Sequence, residues 1–537
     1  MLMKKYRRKI FFALLLVVLQ IAGTIPVQAE LLVTKQEIRV GLVSLYSGKE
    51  TLTIYNNKLG YGYCVDNVFL QEAVLESSSG FIFKPVNGYF IAEKEVYGSY
   101  QAALHAAEAY RSLGVEAYPG SSYQCCWHVY FGNASKYADA ERTVKMLKDI
   151  TGKKNFEILD ENNYRVLLTG SFGTLLIDVD EQYAYPQLRP LTAYENGVYC
   201  VNLGTRVYRG RIEIGRYNSS SLTAVNIVPL EEYLYGVVPS EMPAEWHEEA
   251  LKAQAVCARS YALIKAGYKN ASDAKKGYKI VDTVSSQVYK GYLVETARCN
   301  LAVDATKGEM VCYNNKVVST YYFSTSGGRT ESSKDVWAVD LPYLQSVPDP
   351  YEHNASREVW QKLLTLTEIK DCLVRQGIVL GEIDDLSVSK YSDTNRAYAL
   401  RLKSGKQSIT LQGTTIRTVL DLYSTKFKIV KKGDVPDRVS VLSADGVTAG
   451  RISEMYIASA EGVEKASSGL YQYIVKSADN VSNYPRTAPK EEDELLFAGM
   501  GYGHGVGLSQ YGAKGMAEAG FTYKEIIEYY FTGASVR

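Results

Sequence analysis

Apolar and polar positions set out the chain as alternating stretches of strand and helix. From Leu31 to Pro85 they alternate in short runs such as "LTIYNN", the two-residue period of half-buried strands. Between Gly88 and Asp160 the rhythm changes. "GYFIAEKEV" predicts a strand, "SYQAALHAAEAYRSLG" a helix stopped by glycine, and "VEAYPG" and "CCWHVYFG" two further strands. "SKYADAERTVKMLKDITG" then predicts a second helix and "NFEIL" a last strand. This βαββαβ order predicts a ferredoxin-like, four-stranded sheet with both helices on one face. From Asn163 onward strands dominate again, through "NGVYCVNLGTRVYRGRIEIGRYNSSSLTAVNIVPLEEYLYGVV". The expected fold class is α+β: multidomain, with mixed sheets and segregated helices.

The stretch "VVPSEMPAEWHEEALKAQA" (residues 237–255) carries the clearest candidate for chemistry. Pro243 suits a first helical position and biases Met242 away from the helical region. A helix is therefore expected from about Pro243 towards Gly267, with Trp246, Ala250, Ala253, Cys257 and Tyr261 making an apolar, mostly small face. Glu241 then falls just outside the helix start, its backbone restrained by Pro239 and Pro243. The positive helix end would lower its pKa, whereas burial beside Met242 and Trp246 would raise it. A general acid needs burial to win; a helix cap does not.

Composition excludes some functions. The 537 residues carry a net charge of +1, without the basic excess of a nucleic-acid footprint, and the length predicts two or three domains. Tyr is unusually frequent, 44 against 14 Phe, which fits surfaces that stack on sugars and equally fits strand-rich architecture. Lys4, Lys5, Arg7, Arg8 and Lys9 precede an apolar run from Ile10 to Gly23, and Val27-Gln28-Ala29 offers small residues for cleavage. Residues 1–29 are thus expected to export the chain, as a cleaved signal peptide or as an uncleaved anchor that would be its membrane contact. The eight cysteines form no C-x-x-C pair, so neither a zinc ribbon nor a thioredoxin-like site is signalled.

Two resemblances add to this reading. The stretch around "WHVYFGNASKYADAERTVKML" resembles the SPOR domain, a module that binds peptidoglycan glycan stripped of its stem peptides. It would occupy about residues 87–160 within an N-terminal region of 30–160. "VPLEEYLYGVVPSEMPAEWHEEALKAQAVCARSYAL", "VDTVSSQVYKG", "YYFSTSGGRTESSKDVW", "LPYLQSVPD" and "GYGHGVGLSQYGAKGMAEAGFTYKEIIEYYFTGASV" resemble, in order, the stage II sporulation protein D (SpoIID/LytB) family. That resemblance implies a catalytic region at 161–537, with core motifs at 205–337 and 500–537.

Enzymes of this family act like lytic transglycosylases, cutting between N-acetylmuramic acid and N-acetylglucosamine to leave a 1,6-anhydro ring. The "SEMP" motif places the family's catalytic glutamate at Glu241. One carboxyl suffices because it protonates the glycosidic oxygen and then takes a proton from the sugar's own C6 hydroxyl. Lys252 and Arg259 fall where the family carries basic residues; they either bind the sugar and its acidic lactyl group or form an ion pair that orients the helix. In "STSGGRT", Ser324, Ser326 and Gly327 would offer hydroxyls and close backbone approach to a sugar. In "GYGHGVGLSQYG", Tyr502, His504, Val506 and Leu508 would share one face if extended, leaving a bare glycine face for a glycan, with Gln510 and Tyr511 beyond. Some relatives carry a Cys/His cluster where this chain has Ile280, Ser285 and Ser286, so no metal is expected there, and no cofactor elsewhere. The LytB name also attaches to enhancers of a wall amidase, which leaves a non-catalytic, glycan-binding modifier of such an amidase as the alternative.

Overall fold

The computed structural model describes residues 36–537, except 66–67, 124–125, 180–184, 218–219, 268–276, 354, 356–357, 435–437, 444–445, 452–455, 460–461, 466–472, 477–480 and 485–488. The expected targeting segment lies outside the described residues. In chain order come β1 (Glu37–Gly41), β2 (Leu52–Ile54), β3 (Lys58–Val65), β4 (Val68–Glu76), β5 (Phe81–Pro85), β6 (Tyr89–Glu93), α1 (Tyr100–Ser112), β7 (Tyr118–Tyr123), β8 (Cys126–Ala134), α2 (Tyr137–Thr151) and β9 (Phe156–Leu159). There follow β10 (Val166–Gly170), β11 (Gly173–Ile177), β12 (Gln187–Pro190), β13 (Cys200–Asn202), β14 (Val207–Arg209), β15 (Arg211–Gly215), β16 (Thr223–Pro229), α3 (Leu230–Glu241), α4 (Glu248–Ala266) and β17 (Ile280–Val281). The architecture is α+β and multidomain, with mixed sheets.

The βαββαβ unit forms from the elements its periodicity predicts. Its strands lie in the order β9-β6-β8-β7, each antiparallel to its neighbour, which is the ferredoxin-like arrangement. Ile91, Val129, Phe131 and Phe156 from these strands pack with Ala107 and Tyr110 of α1 and Ala140 and Leu147 of α2. The sheet does not end there. β11 pairs in parallel with β7, and β10, β5 and β2 continue it to eight strands. An unpaired edge on β7 would expose a row of backbone donors and acceptors, and β11 satisfies them.

The second large sheet runs β17-β1-β16-β15-β12-β3-β4. β1, from the first described residues, lies between β16 and β17. Both sheets therefore join strands from before and after residue 160, and so does the main core, which includes Ile38, Phe83, Leu168, Ile212 and Leu251. The boundary expected at 160/161 is not where the sheets divide. Alternation along one strand shows that it is half buried but not which strand it pairs with.

Downstream come α5 (Ala297–Ala305) and α6 (Ser333–Trp337), then a separate core. That core is built on α7 (Leu366–Arg375), α8 (Thr414–Leu420) and the strands Val359–Thr365, Ala397–Ser404, Phe427–Val430 and Glu494–Met500. It includes Trp360, Ile369, Leu400, Leu420 and Phe497. The chain closes with α9 (Gln510–Glu518) and α10 (Tyr523–Tyr530), which return to pack on α4. α3 and α5 pack on α4 as well, so α4 is buried around most of its circumference rather than on one face. Its alanines let those four helices approach closely. Among the described residues Cys126, Cys200, Cys257, Cys299, Cys312 and Cys372 are free thiols.

Candidate active site

Glu241 is the last residue of α3, not a residue ahead of a helix start as the two prolines imply. The helix ends there because Met242, which precedes Pro243, takes the extended conformation (φ −127°, ψ 139°) required before proline. Pro243 begins a short turn, closed by the Trp246 N–H on its carbonyl at 3.1 Å, and α4 starts only at Glu248, with His247 as its cap. This reverses the expected dipole effect: Glu241 sits at the carbonyl end of a helix, which raises a carboxyl pKa as burial does. Its pKa is pushed up to about 7, chiefly by burial and against the lowering effect of its hydrogen-bond donors and of Lys290.

Two donors converge on one oxygen of this carboxyl. The Val288 N–H donates to Oε1 at 2.7 Å and the Tyr322 hydroxyl at 3.4 Å. Oε1 accepts from Val288 in either charge state, so the exchangeable proton belongs on Oε2. Gln287 fixes the Tyr322 hydroxyl. Its side-chain amide donates to the Ala258 carbonyl and to the Tyr322 oxygen at 3.0 Å, and its own oxygen accepts from Tyr233. With its oxygen occupied by that bond, the Tyr322 hydroxyl directs its proton to Glu241. Gln510, the first residue of α9, donates to the backbone carbonyl of Glu241 at 3.1 Å.

Glu241 opens onto a cleft of about 450 Å³ lined by Tyr261, Ser285, Ser286, Tyr321, Tyr322, Phe323, Ser324, Trp337, Arg417, Tyr502, His504 and Gln510, among others. Among these described lining residues Glu241 is the one acid and Arg417 the one cation. His504 packs among rings, with centroids 5.5 Å from Phe323 and 5.3 Å from Trp337. Burial, with Arg417 adding to it, pushes its pKa down to about 3. Nδ1 of this neutral imidazole accepts the Val506 N–H at 3.1 Å, so its proton sits on Nε2.

The other residues singled out in the sequence are placed as follows. Ser324 and Ser285 line the cleft, and so does Ser286. Ser326 is fully buried, and the turn it begins is braced from inside the protein. The amides of Ser326, Gly327 and Gly328 all donate to the Glu352 carboxylate, while Arg396 and Lys426 bind the carbonyls of Ser326 and Gly327. Gly327 (φ +71°) therefore serves a backbone nest filled by Glu352, not the approach of a sugar. Asp349 lies beside Glu352, and burial together with that negative neighbour raises its pKa. Lys252 is held by Glu249 at 2.7 Å and Glu248 at 3.4 Å on the surface of α4. Arg259 is fully buried and forms a bidentate pair with Glu231, with Nε and Nη2 at 2.9 and 2.7 Å. Neither lines the cleft: of the two alternatives for these bases, the geometry matches the ion pair. Tyr511 packs on Trp246, centroids 4.8 Å apart, behind the cleft wall.

The alternating glycines of "GYGHGVGLSQYG" also serve a different purpose from the expected one. Gly501, Gly503, Gly505 and Gly507 all have positive φ, so the segment is not an extended strand with a bare face. A Cβ at Gly507 would lie 2.2 Å from the Tyr321 carbonyl oxygen, and one at Gly503 2.7 Å from Cβ of Phe323. The glycine side is filled by protein, and the ring side is open to the cleft. Gly507→Ala is expected to cost about 2–4 kcal/mol in urea denaturation, from backbone strain plus the clash. Gly114→Ala, at the same φ of +81° with nothing within 4 Å, should cost about 1 kcal/mol. Equal costs at the two positions would refute the clash.

Sequence reasoning missed Gln287, Val288, Tyr322, Trp337 and Arg417. Tyr322 and Gln287 lie inside stretches singled out for other residues. Arg417 has no motif around it; α8 brings it in from the separate core.

A carboxyl poised between its charge states, in a cleft of aromatic walls, defines this as an α+β protein whose site is equipped for general acid–base chemistry. Residues 218–313 match the model of the stage II sporulation protein (SpoIID) family, a span that holds α3, Glu241, α4 and Gln287. The chain is 32% identical over 318 residues to a Bacillus subtilis (strain 168) protein named amidase enhancer, and the match covers 56% of this chain and 40% of that one. It is 29% identical over 336 residues to stage II sporulation protein D of the same organism, covering 60% of this chain and 79% of that relative. An uncharacterized protein of Brachyspira hyodysenteriae is 31% identical over 329 residues, 61% of this chain and 72% of its own length.

Proposed function

We propose that this chain is an exported peptidoglycan-remodelling enzyme, a lytic transglycosylase. It cleaves the bond between N-acetylmuramic acid and N-acetylglucosamine in glycan strands bare of peptide and leaves a 1,6-anhydro product. The observation that carries this reading is the single cleft carboxyl: Glu241, its pKa raised to about 7, with no second acid among the described lining residues. A hydrolase that activates water needs two carboxyl groups, whereas intramolecular attack by the sugar's C6 hydroxyl needs one. Glu241 Oε2 would give its proton to the glycosidic oxygen. The resulting carboxylate, held by Val288 and Tyr322, would then accept the C6 hydroxyl proton as O6 closes on C1. Atoms balance without water. The βαββαβ unit serves as a SPOR-like glycan-binding module, residues 1–29 direct export, and the family's name makes sporulation the setting.

The second reading, favoured by the relative named amidase enhancer, is that the cleft binds glycan and stimulates a wall amidase without cutting. A digest of purified denuded glycan by the full chain, read by mass spectrometry, separates the two. Anhydro-terminated fragments support the enzyme. Reducing ends would mean hydrolysis, and binding without products would leave the enhancer reading standing.

A further inference from the structure

Arg417 is the one cation among the described cleft-lining residues. It projects from α8 into the cleft and is half buried; its carbonyl accepts from the Leu422 N–H, but its guanidinium forms no contact-distance hydrogen bond or ion pair with a described residue. The arginines Arg259 and Arg209, by contrast, are paired with carboxylates, Glu231 and Glu295. Burial disfavours the Arg417 guanidinium and lowers its pKa, outweighing the favourable fields of Tyr502 and Asp421. Its charge acts on His504 and is favoured by Tyr502 and by Asp421, the next residue after α8, whose carboxylate is itself bound to Lys362, while the cation acting most on Glu241 is Lys290. Arg417 lines the same cleft as His504 and Tyr502. Tyr502, 38% exposed, offers a ring beside it on which a sugar can stack.

A guanidinium fork with open donors is shaped for a planar oxyanion, and a carboxylate fits it bidentately. We infer that Arg417 is a specificity-determining residue that binds a carboxylate substituent of the saccharide in the cleft. This rests on the glycan reading of the site and adds to it the feature of the sugar that is recognised. On a strand containing N-acetylmuramic acid the group would be the lactyl carboxylate. When that carboxylate is tied up as an amide, its charge and one of its two acceptor oxygens are lost, so Arg417 separates free-acid sugars from amide-linked ones.

The test uses the full chain carrying Glu241→Gln, so that binding is read without cleavage. The probes are an N-acetylglucosamine–N-acetylmuramic acid tetrasaccharide, the same sugar with its carboxylates converted to methylamides, and neutral chitotetraose, all followed by calorimetry. The acidic tetrasaccharide is expected to bind roughly tenfold to a hundredfold tighter than the methylamide. Adding Arg417→Gln should remove that preference while leaving the methylamide and chitotetraose affinities unchanged, and Arg417→Lys should restore part of it. A preference that survives Arg417→Gln, or equal binding of acid and methylamide by the parent, overturns the assignment to Arg417 and leaves the glycan reading intact. If no saccharide binds, the glycan reading itself falls and takes this inference with it.

Discussion

Replacing Glu241 by Gln is expected to lower kcat on glycan by about 10²–10⁴-fold while changing KM little, because the lost group acts on the departing oxygen rather than on ground-state binding. Gln keeps the oxygen that accepts from Val288 and so preserves the local structure. For the native chain, activity should fall as pH rises above about 7, where the acid has lost its proton. The same shift predicts a stability effect whose sign is opposite to that of a paired carboxylate. Between the ordinary value of 4.5 and about 7, the folded protein holds a proton that the unfolded chain has released, so stability falls as pH rises through that window. The loss is on the order of 3 kcal/mol above pH 7. Glu241→Gln, which cannot titrate, should therefore be more stable than the native chain at pH 8 and no more stable at pH 4.5. A variant that cuts normally would remove Glu241 from the chemistry; one whose stability tracks the native chain at every pH would remove the raised pKa.

Arg259→Ala is expected to destabilise the protein by about 3–5 kcal/mol, the cost of leaving a buried carboxylate without its partner. Glu231 would be stranded between α3, α4 and α5, where Arg259 also holds the carbonyls of Val303 and Glu309. Combining Arg259→Met with Glu231→Gln should cost less than either change alone, since the pair is then removed together. Equilibrium denaturation of the four proteins measures this directly. If instead the single variant kept full stability and only raised KM, Arg259 would be a substrate residue after all.

The contrast between these two residues shows what the sequence could and could not reveal. The restraint on Glu241 was legible, since Pro243 forces the backbone of Met242 wherever it occurs. The helix boundary was not, because a proline suited to open a helix also ends the one before it, and here it ends α3. Arg259 and Lys252 shared the same spacing logic, yet their partners decided their roles: Glu231, from the preceding helix, pairs with one, and Glu248 and Glu249, one turn back on the same helix, pair with the other. The βαββαβ unit was readable because each of its contacts follows from local periodicity. The pairing of β1 with β16, across about 190 residues, has no local signature. Arg417 illustrates the limit most sharply, since a lone arginine on a short helix looks like any solvated surface residue until α8 is seen to face the cleft.

β1 has a mechanical consequence. On one side it is laced to β16, which runs directly into α3 and Glu241; on the other it is laced to β17, which leads into the segment whose Val288 grips that acid. The strand works as a tie bar between the two halves of the grip on Glu241. A load on Glu37 would act on both seams at once. Whatever loosens β1 therefore loosens both supports of the acid together.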